Sequence, residues 1–256
     1  MEENNIVELG TIYFGEEPVP CGFHRSDIEP RLPINRDMFY IADSVDGKRI
    51  PFIRWKNLLV ASKPVCTEVS WEDLNKAGYI YGRPVIIDGK PYLCRSLKVG
   101  TKAGDPNEWD QLVSEYPNAS NRYLHWRDTY FWGQESGSSI IHRVVRGYIA
   151  ARDYGYLPKD TCTRSTGFRP VLEEMLPVPD DLSSLLGKDV AIYGQETDVF
   201  GILKQVTDYD LLIVPSLARS MEASTIVTDS CKWATWDNGN IAVSRNAPVW
   251  IEEAKF

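Results

Sequence analysis

Three turn pairs, Asp46-Gly47, Asp88-Gly89 and Asn238-Gly239, each separate two short apolar runs. Asx-Gly pairs adopt the positive φ angles of tight turns whose twist matches that of paired strands. A chain punctuated in this way is directed toward antiparallel sheet. "DSVDGKRIPFIRW" and "RPVIIDGKPYLCRSL" read as hairpins on the first two turns, and "TWDNGNIAV" turns at Asp237-Asn238-Gly239. Helices are few and short. Ser70 suits the cap of a helix from Trp71 to Lys76, with Gly78 as its stop. "DPNEWDQLVSEY" gives the clearest helix: Asp105 or Asn107 caps it, Pro106 suits its first turn, and Trp109, Leu112 and Val113 share one face.

The rest divides by character. Residues 1–65 are rich in proline, which strands accept only at edges and ends, so an irregular N-terminal extension is expected there. Aromatic residues crowd the stretch from Asn121 to Gly133. Strand-like runs from Arg143 to Tyr148 and from Gly167 to Glu173 flank a turn-rich loop from Arg152 to Thr166. "LPVPDDLSS" reads as a linker with Pro177 and Pro179, and after it come short strands alone, the pattern of a small antiparallel β-barrel. The expectation is an α+β chain with one domain over residues 1–178 and a second over residues 179–256.

A hydrophobic share of 43% and a charged share of 25% are those of a globular chain. The net charge of −8 and the lack of any Lys/Arg run argue against nucleic acid or anionic membrane as partner. No stretch approaches the roughly 20 apolar residues of a membrane span, and the acidic start "MEENNIVELG" is unlike a signal peptide, so a cytoplasmic location is expected. Cys21, Cys66, Cys94, Cys162 and Cys231 are scattered and odd in number, which fits reduced thiols, mostly buried. His24, His125 and His142 show no ligand spacing, so neither metal nor cofactor is expected. GxSxG, P-loop and GxGxxG patterns are missing. Asn118-Ala119-Ser120 matches a glycosylation sequon that a cytoplasmic chain would not use.

The segments "VSWEDLNKAGYIYGRPVIIDGKPYLCRSL", "NEWDQLV", "YFWGQES", "RVVRGYIAAR" and "GFRPVLE" follow one another over residues 68–175. In order and spacing they resemble a family of bacterial and phage proteins with no established activity. More distantly, "RVVRGYIAAR…GFRPVLE" is similar to the formylglycine-generating-enzyme-like domains, which implies a C-type-lectin-like fold for the first domain. The chemistry of those enzymes needs a reactive cysteine pair near the final strands. Only Cys162 lies in that region here, so oxidase activity is not implied. "LLGKDVAIYGQETDVFGILKQVTDYDLLI" resembles the first strands of Sm-like and SH3-like small barrels.

Two arginines stand beside glycine or aromatic residues in the strand-like runs, Arg146 before Gly147 and Arg169 after Phe168. One reading makes them a structural knot that pairs with a carboxylate such as Glu135 or Asp128 and with backbone carbonyls. The other gives them to a ligand. Trp109 and Trp132 are assigned to the scaffold with them. Tyr154, Tyr156, Lys159 and Arg164 lie in the expected loop, and His125 with Trp126 stands beside the aromatic stretch. Exposed aromatics and arginine are what interfaces use, and these six are the expected partner-binding residues. Trp233 and Trp236 are the next candidates. The reading is a binding protein without catalytic residues, bound to a protein partner. The family resemblance makes it phage- or prophage-encoded and an inhibitor of a host anti-phage system, with a virion component or an enzyme as alternatives.

Overall fold

The computed structural model describes residues 5–28, 34–116, 120–137, 139–175, 181–193, 198–215, 234–245 and 250–254. The chain divides into two compact units, residues 1–174 and 175–256. It is mostly antiparallel sheet with few helices. Of the expected linker, residues 176–184, only Asp181, Leu182, Ser183 and Ser184 lie among the described residues.

In the first unit the strands are β1 (Ile6–Phe14), β2 (Glu17–Val19), β3 (Phe23–His24), β4 (Phe39–Ala42), β5 (Arg49–Trp55), β6 (Leu58–Ala61) and β7 (Cys66–Thr67). They continue with β8 (Arg83–Ile87), β9 (Lys90–Ser96), β10 (Tyr130–Ser136), β11 (His142–Gly147), β12 (Tyr154–Pro158), β13 (Thr166–Phe168) and β14 (Pro170–Glu174). The helices are α1 (Trp71–Lys76), α2 (Glu108–Ser114) and α3 (Ser120–Leu124). The first sheet runs β2-β1-β5-β6-β14-β9-β8, with β4 also on β1, and the second runs β12-β11-β10-β13-β7-β3.

The strand period of two sorts the first sheet's side chains into two cores. On β6, Leu59 and Ala61 join one core while Leu58 and Val60 join the other. All four are buried, as a strand covered on both faces requires. On β14, Leu172 and Val171 divide in the same way. The second core takes the apolar face of α2, with Trp109, Leu112 and Val113.

The irregular N-terminal extension is not what these residues form. Residues 6–61 supply β1, β2, β4, β5 and β6 of the larger sheet, with a nine-residue β1. Pro18 obeys the edge rule, in β2 at the sheet's rim, whereas Pro51 lies within the inner strand β5 opposite Glu8, and the sheet forms around it. The first expected hairpin is also corrected. β4 pairs with Thr11–Phe14 and β5 with Ile6–Thr11, so the Asp46-Gly47 turn joins two strands laid end to end along β1. The hairpin at Asp88-Gly89 forms, with φ of 50° and 76° at its two turn residues. Ser70 caps α1 in a reciprocal capping box with Asp73. Asn107 rather than Asp105 caps α2, accepting from Asp110 N.

The run from Gly167 to Glu173 is two strands in different sheets. β13 lies between β10 and β7, β14 lies between β6 and β9, and Arg169 is the single residue between them. Gly167 is obligatory here: a Cβ would stand 2.3 Å from Cys66 O. Gly147 ends β11 at φ 93°, where a Cβ would stand 2.9 Å from Thr129 O.

The second unit is one antiparallel sheet of β15 (Asp189–Tyr193), β16 (Asp198–Val206), β17 (Asp210–Pro215), β18 (Ala234–Asp237), β19 (Asn240–Ser244) and β20 (Trp250–Glu253). Its order is β18-β19-β17-β16-β15-β20, and its core includes Val190, Leu203, Ile213 and Ile241. Asn238 and Gly239 turn β18 into β19 with φ of 47° and 79°. The expected strand "STIVTDS", along with Trp233 and Cys231, lies outside the described residues.

Candidate functional site

Helix α2 is two-faced. Its apolar face enters the second core, and the remaining residues at one side are Asn107, Asp110, Gln111 and Ser114. Offsets of zero, three, four and seven put them in one stripe along a helix. This stripe lines a cleft of about 500 Å³, completed by the loop 103–106 and by Arg146 and Arg152 from the β11–β12 hairpin.

Three links fasten that hairpin to α2. Arg146, 1% exposed, donates through Nη2 to Asp110 Oδ1 and through Nη1 to Val99 O at 3.3 Å. Trp109 Nε1 donates to Ala151 O at 2.5 Å. Arg152 Nη2 donates to Ser114 Oγ at 2.7 Å, and the Ser114 hydroxyl itself donates to Asp110 O. Asp110 is fully engaged, since its Oδ2 accepts from Asn107 Nδ2 at 2.7 Å. Burial lowers the pKa of Arg146, with Asp110 opposing the shift.

The loop before α2 is held as well. Asp105 Oδ2 accepts from Thr101 N and Oγ1, at 3.1 and 2.6 Å. Tyr154 donates to Gly100 O at 3.1 Å and Tyr156 to Thr101 O at 2.9 Å. Both tyrosines lie on strand β12 and not in a loop, because alternation in Tyr-Gly-Tyr lets Tyr154 and Tyr156 pair with Arg146 and Val144 of β11. Tyr154 is half-buried beneath Arg146, whose guanidinium carbon is 5.1 Å from the ring centre. The two tyrosines therefore position the wall of the cleft.

The other expected partner residues lie elsewhere. Lys159 pairs with Glu72 at 2.7 Å, and Arg164 with Asp27 at 3.1 Å and Glu68 at 3.6 Å, both near the start of α1. His125, exposed, follows α3 at φ 38°, and its pKa is lowered by burial and by Arg169. Trp126, expected on the surface, is buried in the second core.

Arg146 and Arg169 are scaffold residues by their contacts, but not with the expected carboxylates. Arg146 pairs with Asp110. Glu135 instead accepts from Val99 N, and Asp128 is exposed. Arg169 is fully buried between the rings of Trp109 and Phe131, 5.1 and 4.8 Å from its guanidinium carbon. It donates to Ala61 O at 2.7 Å, Leu124 O at 2.6 Å and His125 O at 3.3 Å. Two of these carbonyls belong to the end of α3, where no intrahelical partner exists. Trp132 is buried and donates to Val69 O at 2.9 Å.

The stripe on α2 was readable in "NEWDQLVS" as a second helical pattern, polar where the first was apolar. Arg152 was readable only as a loop cation. Among the described cysteines, Cys66 and Cys94 are buried, Cys162 is exposed, and burial pushes the half-buried Cys21 up to about 11. Among the described residues, no group of three or more His, Cys, Asp or Glu could hold a metal ion, and no helix is long and apolar enough to cross a membrane. The sequon is outside the described residues apart from the backbone of Ser120. No family model matches the chain, and neither does any curated protein or solved structure.

Proposed function

We propose that this chain is a non-enzymatic binding protein, and that the cleft beside α2 docks a protein partner. The supporting observation is how the cleft's polar groups are held. Arg146, Asp110 and Asn107 fix one another, and the one hydroxyl, Ser114, links Arg152 to a backbone carbonyl instead of standing beside a base. A surface whose groups are fixed in advance loses little freedom on association. Ile149, 75% exposed, lies in the same loop as Arg152 and adds an apolar contact at its side.

The finer fold readings belong here too. Two sheets with short helices and long loops support a C-type-lectin-like first domain over residues 1–178. A last strand, β20, laid beside the first, β15, supports an Sm- or SH3-like barrel over residues 179–256. The family resemblance then favours a phage- or prophage-encoded inhibitor acting in the cytoplasm of a bacterial host cell. The net charge of −8 favours a protein over nucleic acid or a membrane as target.

The test is capture from host lysate, followed by affinity measurements with the captured protein. Ile149→Asp is expected to weaken binding at least about tenfold, as loss of an apolar interface contact does. Ile86→Asp, on the edge strand β8, serves as the exposed control. Equal loss in both variants, or in neither, would refute this docking face. Recovery of virion proteins alone would favour a structural component of the particle.

A further inference from the structure

We infer that the cleft receives a carboxylate of the partner, held between Arg152 and the side-chain amide of Gln111. The inference rests on the docking role proposed above. Arginine has five N–H donors. Arg152 gives one to Ser114, and among the described residues it has no acidic partner, in a chain with 36 acidic side chains against 28 basic ones. Ser114 fixes where that guanidinium stands, because its own hydrogen is taken by Asp110 O.

Gln111 is oriented from the other side. Lys56 can only donate, and its Nζ lies 2.7 Å from Gln111 Oε1, so that oxygen is committed and the NH₂ remains for the cleft. Lys56 is itself steadied 4.4 Å from the Trp55 ring centre. Gln111 and Ser114 are three apart on the helix, so the free amide and the tethered guanidinium are neighbours. Two adjacent donor groups, the Gln111 amide and the N–H groups of Arg152 that Ser114 does not take, match a carboxylate, which only accepts.

The acids of the cleft set the limit on charge. Asp110 is satisfied by Arg146 and Asn107. Asp105 gives one oxygen to Thr101, whose hydroxyl keeps its carboxyl below the usual range, so it stays ionised. That charge disfavours a dianion, and a single carboxylate fits better than a phosphate carrying about −1.5 to −2.

The test follows the Gln111 amide and the Arg152 Nε–H by NMR on the full chain. The probes are N-acetylglutamate α-amide for a side-chain carboxylate and N-acetylalanine for a chain terminus. N-acetylglutamine α-amide is the neutral control and inorganic phosphate the dianion. At least one carboxylate is expected to shift both resonances saturably, and the tighter of the two names the source. The neutral probe and phosphate should bind at least about tenfold more weakly, and Arg152→Gln should lose about tenfold with its melting temperature unchanged. No saturable shift with either carboxylate, equal binding of the neutral probe, tighter binding of phosphate, or full affinity in Arg152→Gln would each overturn the inference. Partner binding lost in Ile149→Asp but kept in Arg152→Gln would also overturn it and leave the docking role standing. Partner binding kept in both removes the docking role, while the probe titration still decides the carboxylate.

Discussion

Replacing Arg169 by Met and by Ala separates the two things that side chain does. Its guanidinium is fully buried and faces backbone carbonyls, with no carboxylate partner among the described residues. Burial pushes Arg169 down from 12.5 to about 9. At about 1.4 kcal/mol for each tenfold in proton affinity, holding that charge in the interior costs about 5 kcal/mol. Removing it leaves three carbonyls without a donor, at about 1–3 kcal/mol each. The two effects are of similar size. Arg169→Met, which keeps most of the volume between Trp109 and Phe131, should therefore cost only about 1–2 kcal/mol. Arg169→Ala adds a cavity beneath both rings, and should cost about 2–5 kcal/mol more than the Met variant. Urea unfolding of the full chain, followed by tryptophan fluorescence and fitted for two units, measures both. A Met variant as unstable as the Ala variant would show that the carbonyl bonds, and not the packing, carry this position.

Other outcomes follow from single contacts. Asp110→Ala strands a buried Arg146 with only Val99 O, and should lower stability by about 3–5 kcal/mol in the same assay. Gly167→Ala forces β13 away from Cys66 O and should cost about 3 kcal/mol, read from the melting temperature. Burial raises the carboxyl of Glu108, but its bonds to Arg95 outweigh this and leave it below its ordinary 4.5. A carboxyl lowered in the folded state gives stability that is present above the unfolded value and lost as pH falls through the folded one. Glu108→Gln should therefore flatten the loss of stability in acid below pH 4.5, measured by unfolding at stepped pH. Residues 1–174 and 175–256, expressed separately, should each unfold cooperatively by calorimetry.

Local chemistry was legible wherever one short stretch decides the outcome. The Ser70 cap, the span of α1 and the turn at Asp88-Gly89 depend on neighbours in sequence, and each appears at its expected residues. The strands of residues 6–61 were not legible as a sheet, because proline in this stretch looks the same whether a chain is irregular or carries it within strands, as at Pro18 and Pro51. Nor was the break at Arg169, since "TGFRPVLE" is apolar on both sides of the switch. The partners of the arginines were hidden for a different reason. Asp110 is 36 residues before Arg146, and only the packing of α2 against β11 brings them together. The six expected surface residues divide among three places because exposure was inferred from loops, and Tyr154 and Tyr156 turned out to be strand.

The position of β14 has a bearing on how the chain is made. Val171 pairs with Val60, 111 residues earlier in the chain, and the same strand pairs with β9 on its other side. At about 5–20 residues per second, a ribosome needs roughly 5–20 seconds to travel from one to the other. Throughout that interval β6 is a strand edge with the apolar sequence Leu-Leu-Val-Ala and no neighbour on one side. Such an edge invites pairing with another nascent chain. Truncations before residue 170 are thus expected to aggregate, and the finished molecule to depend for its yield on what shields β6 until β14 emerges.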